Sequence, residues 1–274
     1  MISRYASLRQ GLVGAWCPSV QRCGSGFTLP DLSGYGNNGS LVNMDPGTDW
    51  VPSESGLALD FDGSNDGIRI SSSSYANTQG TVVFWMRSSL DSVKAALTFQ
   101  DVANFDNLFA IYIGDGATGT LSNELITIGR IKAGVSNISA FLTTDRNQLL
   151  DNKWHHVSVS SNGSAYSIYI DGVSKTVTLG GTNGVWMDVN SATTLGIGCR
   201  FANTNSPNLS FQGQLDDIRI HNRVLTRSEI QLLYTGGRGV GLAPERIKHR
   251  RKTTAAAFKA AWARRQQHIG SGVY

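Results

Sequence analysis

Short apolar segments, broken every few residues by glycine, asparagine and aspartate, constrain this chain more than any other feature. Asp171-Gly172 separates the runs Ala165–Ile170 and Val173–Leu179, and Asn162-Gly163 lies between Trp154–Ser160 and Ala165–Ile170. Both dipeptides close tight hairpins, because Asn, Asp and Gly accept the positive φ that such turns demand. Alternation of apolar and polar residues marks Leu57-Ala-Leu-Asp-Phe61, and then Ile68-Arg-Ile70 beyond an Asp62–Gly67 loop. Thr81-Val-Val-Phe-Trp-Met-Arg87 is apolar on both faces, the pattern of a strand covered on both sides. Further strands are predicted at Ala95–Gln100, Leu108–Ile113, Glu124–Lys132, Ile138–Leu142, Thr193–Gly198 and Gln212–His221. The chain's 31 glycines suit so many turns. Short strands with no helix between them specify an all-β jelly-roll sandwich of two antiparallel sheets.

A helical signal comes only after the last strand. Thr226-Arg-Ser-Glu229 is a capping box, Ile230, Leu233 and Tyr234 form a stripe, and Gly236-Gly237 is the stop. The charge reverses at that point. Residues 1–237 hold 15 Lys and Arg against 19 Asp and Glu, and residues 238–274 hold nine against Glu245 alone. This places a domain boundary at 237, with a basic linker and an amphipathic tail over 238–274. Gly236-Gly-Arg-Gly-Val-Gly241 reads as linker, and the alanine-rich stretch from Thr254 to about His268 as a second helix. Lys248–Lys252 is either a phosphate-attracting cluster or a solvated linker. Phe258 and Trp262 are too apolar for a free tail, and a lone short helix is marginal in water. Arg250, Arg251, Phe258, Trp262, Arg264 and Arg265 are therefore expected to engage a groove on a partner or on the chain's own body.

Catalytic patterns are missing from the sequence. Four glutamates (Glu54, Glu124, Glu229, Glu245) are scattered singly, so no strand carries the string of alternating acids that glycoside hydrolysis needs. Asp60 and Asp62 alternate correctly, but Asp62 leads into a turn and reads as its maker. His155 and His156 are adjacent and face opposite ways, and no G-x-S-x-G elbow is present. No enzymatic activity is expected. Cys17 and Cys23 either close a small ring or stay free, while Cys199 ends an apolar strand as a buried thiol. No run of 18 apolar residues spans a membrane, and the N-terminus lacks the apolar run of a secretion signal. Trp85 and Trp154 are expected to fill the space between sheets. Trp50 and Trp186 lie in loop-like segments, as exposed platforms for a ligand.

Several pieces of this sequence resemble LamG-type concanavalin A-like domains. They are Gly11-Leu-Val-Gly-Ala-Trp16, Asp31-Leu-Ser-Gly-Tyr-Gly-Asn-Asn-Gly39, Leu57-Ala-Leu-Asp-Phe-Asp-Gly63, Val83-Phe-Trp-Met-Arg87, Trp154-His-His-Val157, Tyr169-Ile-Asp-Gly172 and Gly213-Gln-Leu-Asp-Asp-Ile-Arg-Ile220. They occur in the family's order over roughly residues 11–235. The resemblance implies a binding or structural module and a structural Ca²⁺ held by Asp31, Asp216 and Asp217. By alternation Asp216 shares a face with Ile218 and Ile220, where a carboxylate needs a hydrogen-bonding partner or a metal. Asp31 either joins that site or caps its own turn. Ala261-Trp-Ala-Arg-Arg-Gln266 and Ile269-Gly-Ser-Gly-Val273 resemble the ends of LamG proteins encoded among bacteriophage structural genes. That likeness implies a multi-copy virion protein, displayed at the particle surface, anchored by its tail to other assembly proteins and binding surface glycans. The alternative is a free extracellular, Ca²⁺-dependent lectin-like module. Nucleic acid is not the expected partner.

Overall fold

The structure is a computed structural model that describes residues 5–20, 26–71, 75, 77–89, 92–102, 107–114, 124–132, 135–142, 148–179, 184, 186–187, 192–201 and 206–242. Two antiparallel sheets face each other across one core. The first runs edge to edge through Val173–Lys175, Tyr166–Ile170, His155–Ser161, Gly80–Arg87, Gln212–His221, Gly56–Asp62 and Trp50–Ser53. Leu12–Trp16 pairs with the far half of Gln212–His221. The second runs through Thr178–Leu179, Val135–Leu142, Glu124–Lys132, Asn107–Ile113, Lys94–Gln100, Thr194–Ile197, Gly67–Ser71, Gly39–Val42 and Thr28–Leu29. The all-β sandwich read from the sequence is the observed architecture.

Alternation fills the core. Leu57, Leu59, Phe61, Val82, Phe84, Met86, Val157 and Val159 point inward from the first sheet, toward Ile68, Ile70, Leu97, Phe99, Phe109 and Ile111 of the second. Each such side chain contributes roughly 1.5–3 kcal/mol when fully buried. At Asp171-Gly172 both residues have positive φ (51° and 73°), as a two-residue hairpin requires. Asn162-Gly163 sits in a wider connection, since Ser161 pairs with Tyr166 and the Asn162 side chain accepts the amides of Ser164 and Ala165, both at 2.9 Å.

Gly80–Arg87 is apolar on both faces because the Arg227–Gly236 helix covers its outside. Ile230 and Leu233 pack with Leu225, Leu8 and Val83. The predicted capping box is formed, with the Thr226 hydroxyl accepting from Glu229 N. No helix among the described residues is long and apolar enough to cross a membrane.

The body does not stop at residue 237. Arg238, Val240 and Leu242 are buried, and Gly239 N donates to the Asp217 carboxylate at 2.6 Å. The glycines that looked like linker instead make tight turns, with φ of 73° at Gly239 and 75° at Gly241. Arg9 donates from Nε to Gly241 O (3.1 Å) and from Nη2 to Leu242 O (2.9 Å). A Cβ placed on Gly241 would lie 3.2 Å from that of Tyr5, so both ends of the described body lie side by side.

Candidate functional site

The helix covers only part of the outer face of the first sheet. Where it stops, the register places Asp60 opposite Gln214 and Gln214 opposite Arg87, a polar row across three strands. These outward positions form one wall of a cleft of about 320 Å³, completed by Asp62, Gln212, Ser88, Ser89 and Asn152. Its size falls at the small end of ligand pockets. Gly213 makes the close approach possible: its φ is 121°, and a Cβ there would lie 2.2 Å from Arg87 O. Asn152 enters from the loop before His155–Ser161. Arg87 Nε donates to its backbone oxygen (2.8 Å) and to its Oδ1 (3.0 Å), and Asn152 N donates to Ser88 O at 3.0 Å.

A carboxylate–imidazole clamp pins that loop. His155 lies between Asp171 (Nδ1 to Oδ2, 2.8 Å) and Asp151 (Nε2 to Oδ1, 3.0 Å). Hydrogen bonding to Asp171 leads the effects that raise its pKa. The cleft itself is electronegative. Burial raises the pKa of Asp60, which a hydrogen bond from Gln214 and the charge of Arg87 counteract while Asp49 adds to it. Burial also pushes Asp66, behind the cleft, up to about 6. Asp62 is committed to its turn, as the sequence indicated: its Oδ1 accepts from Ser64 N at 2.7 Å, and its own amide donates to Asp66.

The residues singled out in the sequence lie elsewhere. Trp50 and Trp186 are each 1% exposed, which corrects their reading as exposed platforms. Trp50 opens a strand and donates its indole N–H to Gly26 O at 3.2 Å, and Trp186 packs on Phe109 with ring centroids 5.0 Å apart. Both segments looked like loops because each is short and flanked by turn residues. Among the described residues, Phe27 and Tyr35 are the large aromatic side chains that stand in solvent. Trp85 points out of the core rather than between the sheets, stacked on Tyr234 at 6.0 Å. Arg238 lies over Trp154, which precedes the strand, at 4.1 Å.

Asp216 does not share the inward face with Ile218 and Ile220. A β-bulge between Asp216 and Arg219 inserts an extra residue, with Asp217 at a φ of 49°, so Asp216 lies opposite the outward Trp85. Asp216 accepts from Ser19 N (3.2 Å) and faces Arg238 Nε at 3.6 Å, while Asp217 accepts both prongs of Arg219. Burial and the neighbouring Asp217 push Asp216 up to about 7. Asp31 takes the capping alternative: its two oxygens accept from Ala15 N, Ser33 N, Ser33 Oγ and Asn37 N at 2.7–3.0 Å. Calcium needs six to eight oxygens, yet these carboxylates face N–H donors and two guanidinium groups. No group of three or more His, Cys, Asp or Glu among the described residues is arranged to hold a metal. The residues named for calcium do not fit it.

Cys17 and Cys199 are free, buried thiols, the latter as expected, and Cys23 is outside the described residues. Arg250, Arg251, Phe258, Trp262, Arg264 and Arg265 also lie outside them. The sequence reading passed over Arg87, Gln214 and Asn152. For Arg87 and Gln214 a partial signal was present, polar residues at outward strand positions with a glycine beside Gln214 inside its strand, whereas Asn152 lies in a loop.

Comparisons with known proteins agree with this architecture. A search of the curated proteins finds no match. Domain 4 of AbnA, a GH43 extracellular arabinanase from Geobacillus stearothermophilus in complex with arabinotriose, superposes with a TM-score of 0.58 at 18% identity, covering 80% of this chain and 96% of that one. A botulinum neurotoxin type C structure, described through a cell entry dependent upon interaction with two ganglioside molecules, gives a TM-score of 0.60 at 15% identity over 84% of this chain and 52% of that one. The binding domain of botulinum neurotoxin DC in complex with SialylT gives 0.56 at 14% identity, over 84% and 52%. This chain thus spans about half the length of the toxin structures. At these identities the likeness concerns the fold. The family model Laminin_G_3, described as the concanavalin A-like lectin/glucanases superfamily, matches residues 62–231, from the turn beside the cleft into the Arg227–Gly236 helix, and the chain belongs to that superfamily.

Proposed function

We propose that this chain is a non-enzymatic adhesion module, binding glycan in the Asp60–Gln214–Arg87 cleft and held in several copies on a virion or similar extracellular assembly by its basic tail. The cleft carries this reading. Planar carboxylate, amide and guanidinium groups, with serine hydroxyls beside them, are the partners that sugar hydroxyls take. The fold supports it too, since the similar arabinanase domain is in complex with arabinotriose. Glycoside hydrolysis takes two carboxyl groups. Here the neighbours of Asp60 are occupied: Asp62 and Asp66 by the turn between them, and Asp49 by Asp45 N and the Thr48 hydroxyl. The tail's role rests on its charge and apolar side chains, and on the firm attachment of the chain up to Leu242.

One experiment tests both halves. The full chain and a version ending at Leu242 are screened on a glycan array and, by sedimentation, for assembly into particles. Glycan binding by both, with assembly by the full chain only, is the expected result. Identical soluble monomers overturn the anchor and leave a free lectin-like module. A blank array with folded protein overturns the glycan reading.

A further inference from the structure

Resting on that reading, we propose that the cleft selects uncharged glycans, held by their hydroxyl edges, and rejects acidic sugars. Edge recognition follows from what the cleft lacks. Among the described residues that line it, the aromatic one, Phe61, is 1% exposed with its side chain in the core, so these residues offer no ring face for stacking. What remains is the row Asp60, Gln214 and Arg87 on three strands, about 4.8 Å apart from one strand to the next. Each head group is planar and presents adjacent hydrogen-bonding atoms, suited to neighbouring hydroxyls on one edge of a ring.

Charge supplies the selectivity. Two carboxylates, Asp60 and Asp62, line the cleft among the described residues, and two more lie near them: the charge of Asp49 adds to the raised pKa of Asp60, and those of Asp62 and Asp49 to that of Asp66. Against these stand Arg87 and Lys94. Arg87 spends its Nε on Asn152, and its charge already acts on Asp60. Lys94 is turned to Gly63 O at 2.8 Å. A uronate or sialate would bring another negative charge into a cleft that is negative already, where like charges repel to the extent that salt leaves them unscreened.

The test uses the full chain and matched sugars: a neutral oligosaccharide bound on the array, and its uronic acid or sialylated counterpart, titrated calorimetrically. The acidic member should bind at least about tenfold more weakly. That gap should narrow as ionic strength rises from about 0.01 M to about 1 M, over which the screening length falls from ~30 Å to ~3 Å. Asp60→Asn should weaken the neutral sugar and reduce the discrimination, with an unchanged circular dichroism spectrum. Should that variant not fold, the salt titration on the unaltered chain still decides. Equal or tighter binding of the acidic sugar, or a gap indifferent to salt, overturns charge selection while leaving glycan binding intact. Failure of both sugars would instead count against the glycan reading itself.

Discussion

Asp217 grips Arg219 through two parallel contacts, Nε to Oδ1 at 2.7 Å and Nη2 to Oδ2 at 2.8 Å, with both side chains at most 3% exposed. Removing one partner of a buried pair leaves the other charged, unpaired and dry. Arg219→Ala should therefore cost about 3–5 kcal/mol. Combining Arg219→Met with Asp217→Asn removes both charges, keeps an acceptor for Gly239 N and a residue tolerant of positive φ, and should recover most of the loss. Urea unfolding at neutral pH measures both. A double variant no more stable than Arg219→Ala would mean that the pair's geometry, rather than its charge, is what the fold requires.

Buried groups should make stability nearly flat across mild acid. Burial lowers His156 to about 4 and His221 to about 3, so between those values and 6.5 the unfolded chain binds protons that the native one refuses, and stability falls as pH falls. Asp216, raised to about 7, and Asp66, raised to about 6, do the opposite above 3.8: the native chain keeps protons that the unfolded one releases. From pH 4 to 6 these slopes oppose. Below that, Glu229, held near 2 chiefly by Arg223, adds a loss as pH falls from 4.5. Asp216→Asn should tilt the plateau so that stability rises with pH, by at most about 1.4 kcal/mol per unit. Unfolding curves at half-unit intervals would show the tilt or its absence.

Calcium should leave the body's melting temperature unchanged. A ligand that binds only the native state raises stability with its concentration, but Asp31, Asp216 and Asp217 are committed to N–H and guanidinium donors. Thermal melts in millimolar calcium and in chelator should coincide. A clear upward shift with calcium would place an oxygen cage at other residues.

Truncation separates the body from the tail. A chain ending at Leu242 should melt as cooperatively as the full chain. One ending at Gly237 loses Arg238, Val240 and Leu242, leaving Asp216 without its guanidinium and uncovering the surface beneath. Its melting temperature should drop by several degrees, as a loss of 1–2 kcal/mol does at this size.

Local signals carried the architecture. Asp171-Gly172 and the capping box at Thr226 act through their own neighbours, so their geometry could be read without knowing what packs on them. The failures at the site residues depended on distant partners. One bulge at Asp217 reverses the face of Asp216, and nothing adjacent in sequence announces it. Trp50 and Trp186 sit in stretches that look like loops, and their burial depends on residues brought in by the fold. The cleft needs register: Asp60, Gln214 and Arg87 are far apart in the chain and meet only when three strands align.

The contact between Arg9 and the carbonyls of Gly241 and Leu242 has a practical corollary. Because Tyr5 and Gly241 are neighbours, the two ends of the described body meet at nearly one point, like a cassette on a single clip. That body can be spliced into a surface loop of an unrelated host with little stretching of either joint, which offers a route to presenting the cleft on a scaffold of choice.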